Sequence, residues 1–319
     1  MAAPSTHLTS ARPAQSFWQR VRAGDEVAFG ITFLAAFTIL FVTGLLVWQL
    51  WINSGLPRQK FGWSFFVTQT WDPVAEQYGA LPFIYGTLVT SALALIIAIP
   101  LGIGAAIFLA EFAPPWLSDA LAFLIELLAA VPSVIYGLLG IFILIPILRV
   151  IEPYLKSALG WTPLFSGPFY GVSLFSAGVV LSVMIVPFII SISREVIRAV
   201  PSDQREAALA LGATRWETVW DAVIPYASKG ITGSIFLALA RSLGETMAVT
   251  MVIGNDPKIK ASLFAPGYSI AAVIANEFTE ATGRMYTEAL IELGLVLFAL
   301  TIVINGAARL LVAGTERNR

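Results

Sequence analysis

The sequence predicts an all-α polytopic membrane protein with six spanning helices, and three observations predict it. Of 319 residues, 57% are hydrophobic and only 12% charged, where a soluble domain carries about 25% charge. The apolar residues gather into six stretches long enough to cross a bilayer, which takes about 20 residues. The remaining chemistry is sparse: there is no Cys, and the one His is His7, in a polar tail. That excludes a thiolate metal site, a disulfide framework, a Ser-His-Asp triad and a buried imidazole shuttle. A formal charge of −1 leaves no basic field for a nucleic-acid backbone.

The first span is placed at 28–52; it holds no charge and ends in Trp48 and Trp51, suited to an interface. It reads as a retained anchor, since it is too long for a signal h-region and Asn53-Ser54-Gly55 follows it. The second, 83–110, lies in the charge-free interval between Glu76 and Glu111 and is punctuated by Pro100, Gly102 and Gly104, breakers that neighbouring helices can repair. The third is placed at 121–148, with Glu126 near its start and Pro132 and Pro146 inside. The fourth, 170–193, contains Pro187, and the fifth, 230–253, holds Arg241 and Glu245. The sixth, 285–312, starts with Glu288 and Glu292 and has Asn305 near its end. Trp116 and Trp161 read as further interface anchors. No internal repeat or low-complexity run is present, which counts against inverted transporter halves.

Six spans put both termini on one side. With that side cytoplasmic, eleven of the 19 Lys and Arg lie inside, among them Arg12, Arg20, Arg22, Arg317 and Arg319, seven lie outside, and Arg241 is within the membrane. The bias favours cytoplasmic termini. The organisation is then a tail at 1–27, the first span with an outer loop at 28–82, and a transmembrane domain at 83–315 with a cytoplasmic loop at 194–229.

That loop resembles two short helices more than a linker. Pro201-Ser202-Asp203 supplies a start, with Ser202 the N-cap and Asp203 at the positive end of the dipole, and Gly212 a stop. Thr214-Arg215-Trp216-Glu217 reads as a capping box for a second helix ending at Pro225. Leu209, Leu211, Trp216, Val219 and Trp220 exceed the apolar content of a solvated loop. Such a hairpin can pack on its own bundle, lie in the headgroup layer or dock a partner.

Glu206-Ala207-Ala208, three residues, then Gly212, with Ile224-Pro225 at the far end, resembles the EAA loop of ABC importer permeases. Ala222 and Ile224 depart from it, standing where Ile and Leu are usual. The 98–104, 129–137 and 241–250 stretches, AIPLGIG, AAVPSVIYG and RSLGETMAVT, are similar to the PstC-type permeases of phosphate-specific importers, and the likeness extends from about Thr87 to the C-terminus. The resemblance implies a MetI-like permease core in the inner (cytoplasmic) membrane of a bacterium. It also implies four partners: a second permease of PstA type, an ATPase dimer of PstB type, a binding protein of PstS type and phosphate itself. Glu206, Ala207, Ala208, Gly212 and Pro225 would form the ATPase coupling element, and Arg241 and Glu245 would be transport residues. No cofactor or metal enters this reading.

An Arg in mid-bilayer costs roughly 2.5–3.5 kcal/mol on insertion scales, so Arg241 requires protein or water around it. Glu245, four positions on, would share its helix face. The two could form a structural ion pair. Alternatively, Arg241 could meet an oxyanion with its paired donors while Glu245 holds it when the path is empty. Glu288 and Glu292, near the outer surface, are read as interface or helix-packing groups and Glu126 as satisfied by its adjoining loop. Thr87, Thr90, Ser91, Ser133 and Tyr136 could line a polar path, although such hydroxyls more often bond backbone.

None of the five lysines follows a glycine, so the chain has no GxxxxGK[ST] loop for ATP and is not expected to be an enzyme. Hydrolysis would belong to a partner whose closure moves the loop and tilts the fourth and fifth spans. The alternative, a secondary transporter or channel for a small anion, would need its own coupling-ion sites.

Overall fold

A computed structural model describes residues 25–316, and within them the architecture is helical, with two isolated bridges and no named strand. His7, the tail arginines and both C-terminal arginines of the charge count lie outside the described residues. Contacts divide the chain into Met1–Ile52 and Asn53–Arg319. The first unit contributes α1, Asp25–Ile52, apolar on every face and with none of its spanning window buried. Thr32, Thr38 and Thr43 donate to carbonyls four residues back, so the helix carries no unpaired hydroxyl toward lipid.

The second unit starts with two short helices, α2 (Gly55–Phe61) and α3 (Ser64–Val67). A long helix α4 (Leu81–Ile107) follows and ends in a π turn at Phe108–Phe112. Next come α5 (Pro115–Ala129), α6 (Ser133–Leu139), a π turn at Gly140–Leu144 and α7 (Ile145–Leu159). Helix α8 (Leu174–Arg198) is the most buried of the spans. The remainder is α9 (Ser202–Ala210), α10 (Arg215–Thr218), a π turn at Val219–Val223, α11 (Ile224–Leu243), α12 (Met247–Val252), α13 (Ile270–Glu277) and α14 (Arg284–Glu316).

Among the described residues, six helical stretches are long and apolar enough to cross a membrane: Glu26–Ile52, Leu81–Phe112, Ser133–Leu159, Leu174–Arg198, Arg215–Leu243 and Arg284–Leu310. The number matches the sequence reading, but two placements change. The third span begins at Ser133 rather than 121, because α5 stops at Ala129 and Pro132 takes an extended conformation (φ −57°, ψ 138°). Proline also biases the residue before it away from the helical region, so 121–129 belongs to a separate helix. The fifth span begins far earlier and ends at Leu243, ten residues before its expected limit.

Three apolar clusters stack through the second unit. The central one packs α4, α8 and α11 around α6 and α12, with Leu181, Ile185, Ile189 and Val252 buried. Beyond it, at one end, Phe65, Tyr78 and Phe83 meet Tyr268, Ile270 and Leu293. At the other end Ala106, Ile107 and Leu109 meet Ile197, Val219 and Val223. Helices α4 and α8 form the most extensive pairing, and Gly102 permits it: a Cβ there would lie 2.7 Å from Ile189 Cγ2.

The outer loop between the first and second spans is built into the fold. Trp71 Nε1 and the Tyr286 hydroxyl donate to the same oxygen of Glu277, at 2.8 and 2.7 Å. Tyr78 is buried against Trp71 and Tyr286, and burial together with nearby carboxylates pushes its phenol above the usual range. Glu288 fills the expected packing role, accepting from Leu56 N at the start of α2 and from Arg284 Nε, both at 2.8 Å. Glu292 is buried on the same helix, while Glu126 is exposed on α5.

Gly86 marks the tightest approach of α4 to the segment before α13, where a Cβ would lie 2.1 Å from the Tyr268 carbonyl oxygen. Gly86→Ala is therefore expected to destabilise the protein by about 1–3 kcal/mol through overpacking. Thermal unfolding in detergent checks this; an unchanged midpoint would contradict the close approach.

Candidate functional site

Two regions carry the residues singled out from sequence, and one helix joins them. The first is the hairpin of α9 and α10. Helix α9 starts one residue earlier than expected: Pro201, not Ser202, is the N-cap, and no side chain caps the helix. Proline suits that position because its extended ψ of 142° leads into the first turn without needing a donor. Asp203 lies in the first turn as read from sequence. At the other end Gly212 has φ +90°, Gly212 N donates to Leu209 O at 2.9 Å and Ala213 N to Ala208 O at 3.2 Å. This is the paired closure of a helix end on a left-handed glycine.

Two residues later the capping box forms in full. Thr214 Oγ1 accepts from Glu217 N, and Glu217 Oε2 accepts from Thr214 N at 2.7 Å. Thr214→Ala should cost about 1 kcal/mol, read as a lowered melting midpoint. A midpoint equal to that of the unaltered chain would mean the box contributes nothing.

The second helix of the hairpin does not end at Pro225. Helix α10, the π turn and α11 run on without interruption from Arg215 to Leu243. Pro225 sits in the first turn of α11, just after the π turn, and Ile224 N reaches back five residues to Val219 O. The wide turn absorbs the missing N–H and the ring that would otherwise clash with the preceding turn. The 29 residues of this span extend over about 43 Å.

Hairpin apolar residues divide between two tasks. Val219 joins the core, whereas Leu209, Leu211, Trp216 and Trp220 stay exposed, Leu211 at 91%. Trp216 and Trp220 contact each other edge to face and line an apolar groove with Phe108 and Phe112. Glu206 and Ala207 are exposed and Ala208 is half-buried. The hairpin therefore packs on its own bundle through Val219 and leaves polar and apolar side chains exposed on its outer face.

The second region is the break where α11 ends. Arg241 occupies the last turn of α11, not the middle of an unbroken helix, and Gly244 closes that helix with its N–H on Ala240 O. A cation there complements the negative end of the helix dipole. Glu245 lies beyond the break, half-buried, and its Oε1 accepts from Ala248 N at 3.2 Å, at the start of α12. The expected one-turn pairing of Arg241 with Glu245 is not formed, because Gly244 interrupts the helix between them. Among the described residues no ion pair joins the two.

Arg241 is exposed and lies over the Phe188 ring of α8, 5.7 Å from its centroid. Such a contact is worth about 0.5–2 kcal/mol. It anchors the guanidinium without neutralising it, which leaves a fixed positive charge able to present paired N–H donors to an oxyanion. The hydroxyls considered as path-lining groups are committed to backbone where bonded. Thr87, Thr90 and Tyr136 donate to Phe83 O, Gly86 O and Leu128 O. Buried Ser91 Oγ has no partner.

Sequence reasoning missed the charged contacts at this end of the bundle. Arg194 bonds Asp119 at 2.9 Å and Glu195 at 2.8 Å, and it also donates to Ser118 Oγ, which donates to Leu109 O. Arg205 bonds Glu111 at 2.7 Å. Pairs separated by 75 and 94 positions leave no local spacing signal; only the rarity of charge in these segments singles the residues out.

Residues 98–317 match the family described as binding-protein-dependent transport system inner membrane component. The chain is 46% identical over 296 residues to the phosphate transport system permease protein PstC of Mesorhizobium japonicum, covering 91% of this chain and 90% of that one. It is 45% identical to the protein of the same description from Haemophilus influenzae, covering 90% and 93%. A probable PstC of Methanocaldococcus jannaschii is 39% identical, covering 89% and 92%. In fold, the chain resembles a chain of a bacterial ABC transporter involved in import of the acidic polysaccharide alginate, with a TM-score of 0.58, 18% identity and coverage of 92% and 99%. A MetNI methionine ABC transporter chain also matches, with a TM-score of 0.49, 15% identity and coverage of 71% and 93%. With the family match spanning most of the chain and relatives this close over nearly its whole length, the protein belongs to the binding-protein-dependent transport inner membrane components, among the PstC-type phosphate permeases.

Proposed function

We propose that the chain forms half of the translocation path of an ATP-driven phosphate importer, with the hairpin at 206–225 seating a separate ATPase and Arg241 contacting phosphate in transit. The observation that carries this reading is the unbroken helix from Arg215 to Leu243, which places the exposed hairpin and the uncompensated Arg241 on one rigid body. Relatives described as phosphate transport permeases supply the substrate class. A guanidinium is charged at any working pH and matches an oxyanion bidentately.

In this reading the other half of the path is a permease of PstA type, the ATPase is a dimer of PstB type, and a PstS-type protein delivers phosphate. The chain sits in the inner membrane of a bacterium with the hairpin and both termini in the cytoplasm. ATPase closure displaces the hairpin, α11 moves with it, and the break at Gly244 lets the Arg241 end reorient against α12. Glu245, committed to the start of α12, keeps that side of the break in register.

The chain has no Cys, so single cysteines report orientation and docking directly. Val74 and Leu211 are 96% and 91% exposed and lie toward opposite ends of α4. Val74→Cys should react with a membrane-impermeant thiol reagent in intact cells, and Leu211→Cys only after permeabilisation. Leu211→Cys should also cross-link to the co-expressed ATPase. The reverse labelling pattern, or no cross-link, would remove the support for this orientation and docking face.

A further inference from the structure

The hairpin meets the bundle by two links of different kind. Toward α11 the link is the helix itself. Toward α4 no chain connection exists, yet Arg205, the residue before Glu206, turns its guanidinium inward. Its Nη2 donates to Glu111 Oε1 at 2.7 Å, and its Nε approaches both carboxylate oxygens at 3.2 and 3.3 Å. The remaining edge donates to two carbonyls at the end of α8: Nη2 to Ile197 O at 2.9 Å and Nη1 to Val200 O at 2.5 Å. Glu111 itself lies in the π turn that closes α4.

One side chain therefore holds the start of the hairpin, the end of α4 and the end of α8 together. Side-chain exposures of 23% for Arg205 and 12% for Glu111 set this pair apart from the loose surface pairs that contribute little. A planar fork bound along two edges resists rotation as well as separation, which a point-charged Lys cannot do. Ile197 O also accepts from Val200 N at 3.2 Å, so the guanidinium adds a second bond to the turn that follows α8.

We propose that the Arg205–Glu111 pair is the joint through which movement of the hairpin reaches α4, so that α4 and α11 move in concert. This makes Arg205 a positioning residue for transport, distinct from the outward surface that meets the ATPase. Helix α4 is suited to pass the movement on. Near its other end Gly86 lies against the Tyr268 carbonyl, and Thr87 Oγ1 accepts from Ile270 N at 3.0 Å, at the start of α13. Without the joint, α11 would follow the hairpin while α4 stayed with α8, and the path would not open at both ends in turn.

The inference rests on the ATPase-docking reading above, and the test separates the two. The complex of this chain with its partner permease and ATPase is reconstituted in proteoliposomes. Three quantities are measured: ATPase retained, ATP hydrolysed and radiolabelled phosphate taken up. Glu111→Gln preserves volume and leaves the bonds of Arg205 to Ile197 and Val200 available. It should retain the ATPase, hydrolyse ATP within twofold of the unaltered complex and transport at least tenfold less phosphate per ATP. Glu111→Asp, which keeps the charge, should recover part of that loss. Transport per ATP within twofold in Glu111→Gln would overturn the proposal. So would hydrolysis and uptake falling together, or loss of the ATPase, since either assigns the pair to docking or stability. Failure of the docking reading looks different: Leu211→Cys in the otherwise unaltered complex would then give no cross-link to the ATPase.

Discussion

Arg241→Gln lowers phosphate uptake by roughly 10- to 150-fold while the chain still inserts and assembles. The magnitude follows from the worth of a hydrogen bond to a charged group, about 1.5–3 kcal/mol, at 1.4 kcal/mol per decade. Assembly is spared because Arg241 is exposed and held by the Phe188 ring, not by a buried carboxylate. Removing it leaves no stranded counter-charge, the usual source of large destabilisation on breaking a pair. Arg241→Lys keeps the charge and loses the fork, so its uptake should fall between the two. Uptake by Arg241→Gln equal to that of the unaltered chain would remove Arg241 from the path.

Gly212→Val separates the ATPase from the permease. Gly212 is held at φ +90°, a region that costs an L residue about 1–2 kcal/mol and a β-branched one more. The chain can relieve that strain by giving up the paired bonds to Leu209 and Ala208, which reorients α9 against α10 and with it Glu206 and Leu211. Co-purified ATPase should fall at least tenfold, and ATP-dependent uptake with it. Glu206→Lys, which reverses an exposed charge without touching the turn, should weaken docking with the fold intact. Undiminished ATPase binding by both variants would mean that the partner engages another surface.

Much of this organisation is legible in the sequence because it is written locally. The capping box needs only Thr214 and Glu217 three apart, and the left-handed closure needs only Gly212 after an apolar run. The span count survives because lipid imposes the same length and apolarity on each helix. What sequence misplaced depends on how the backbone resolves its breakers. Pro132 ends a helix while Pro225, after a π turn, does not, and composition alone treats the two alike. Gly244 converts an expected one-turn pair into two groups on either side of a helix break, each with its own partner. Arg205 and Glu111 are adjacent only in the fold, so no spacing rule could join them.

Transport by this chain requires a motor supplied by a partner. Radiolabelled phosphate uptake into vesicles holding this chain with its candidate permease and ATPase partners, with ATP inside or without, tests that directly. Uptake should require ATP and should vanish when Glu206 and Gly212 are both disrupted. Uptake by this chain alone, driven by an ion gradient and indifferent to ATP, would contradict it.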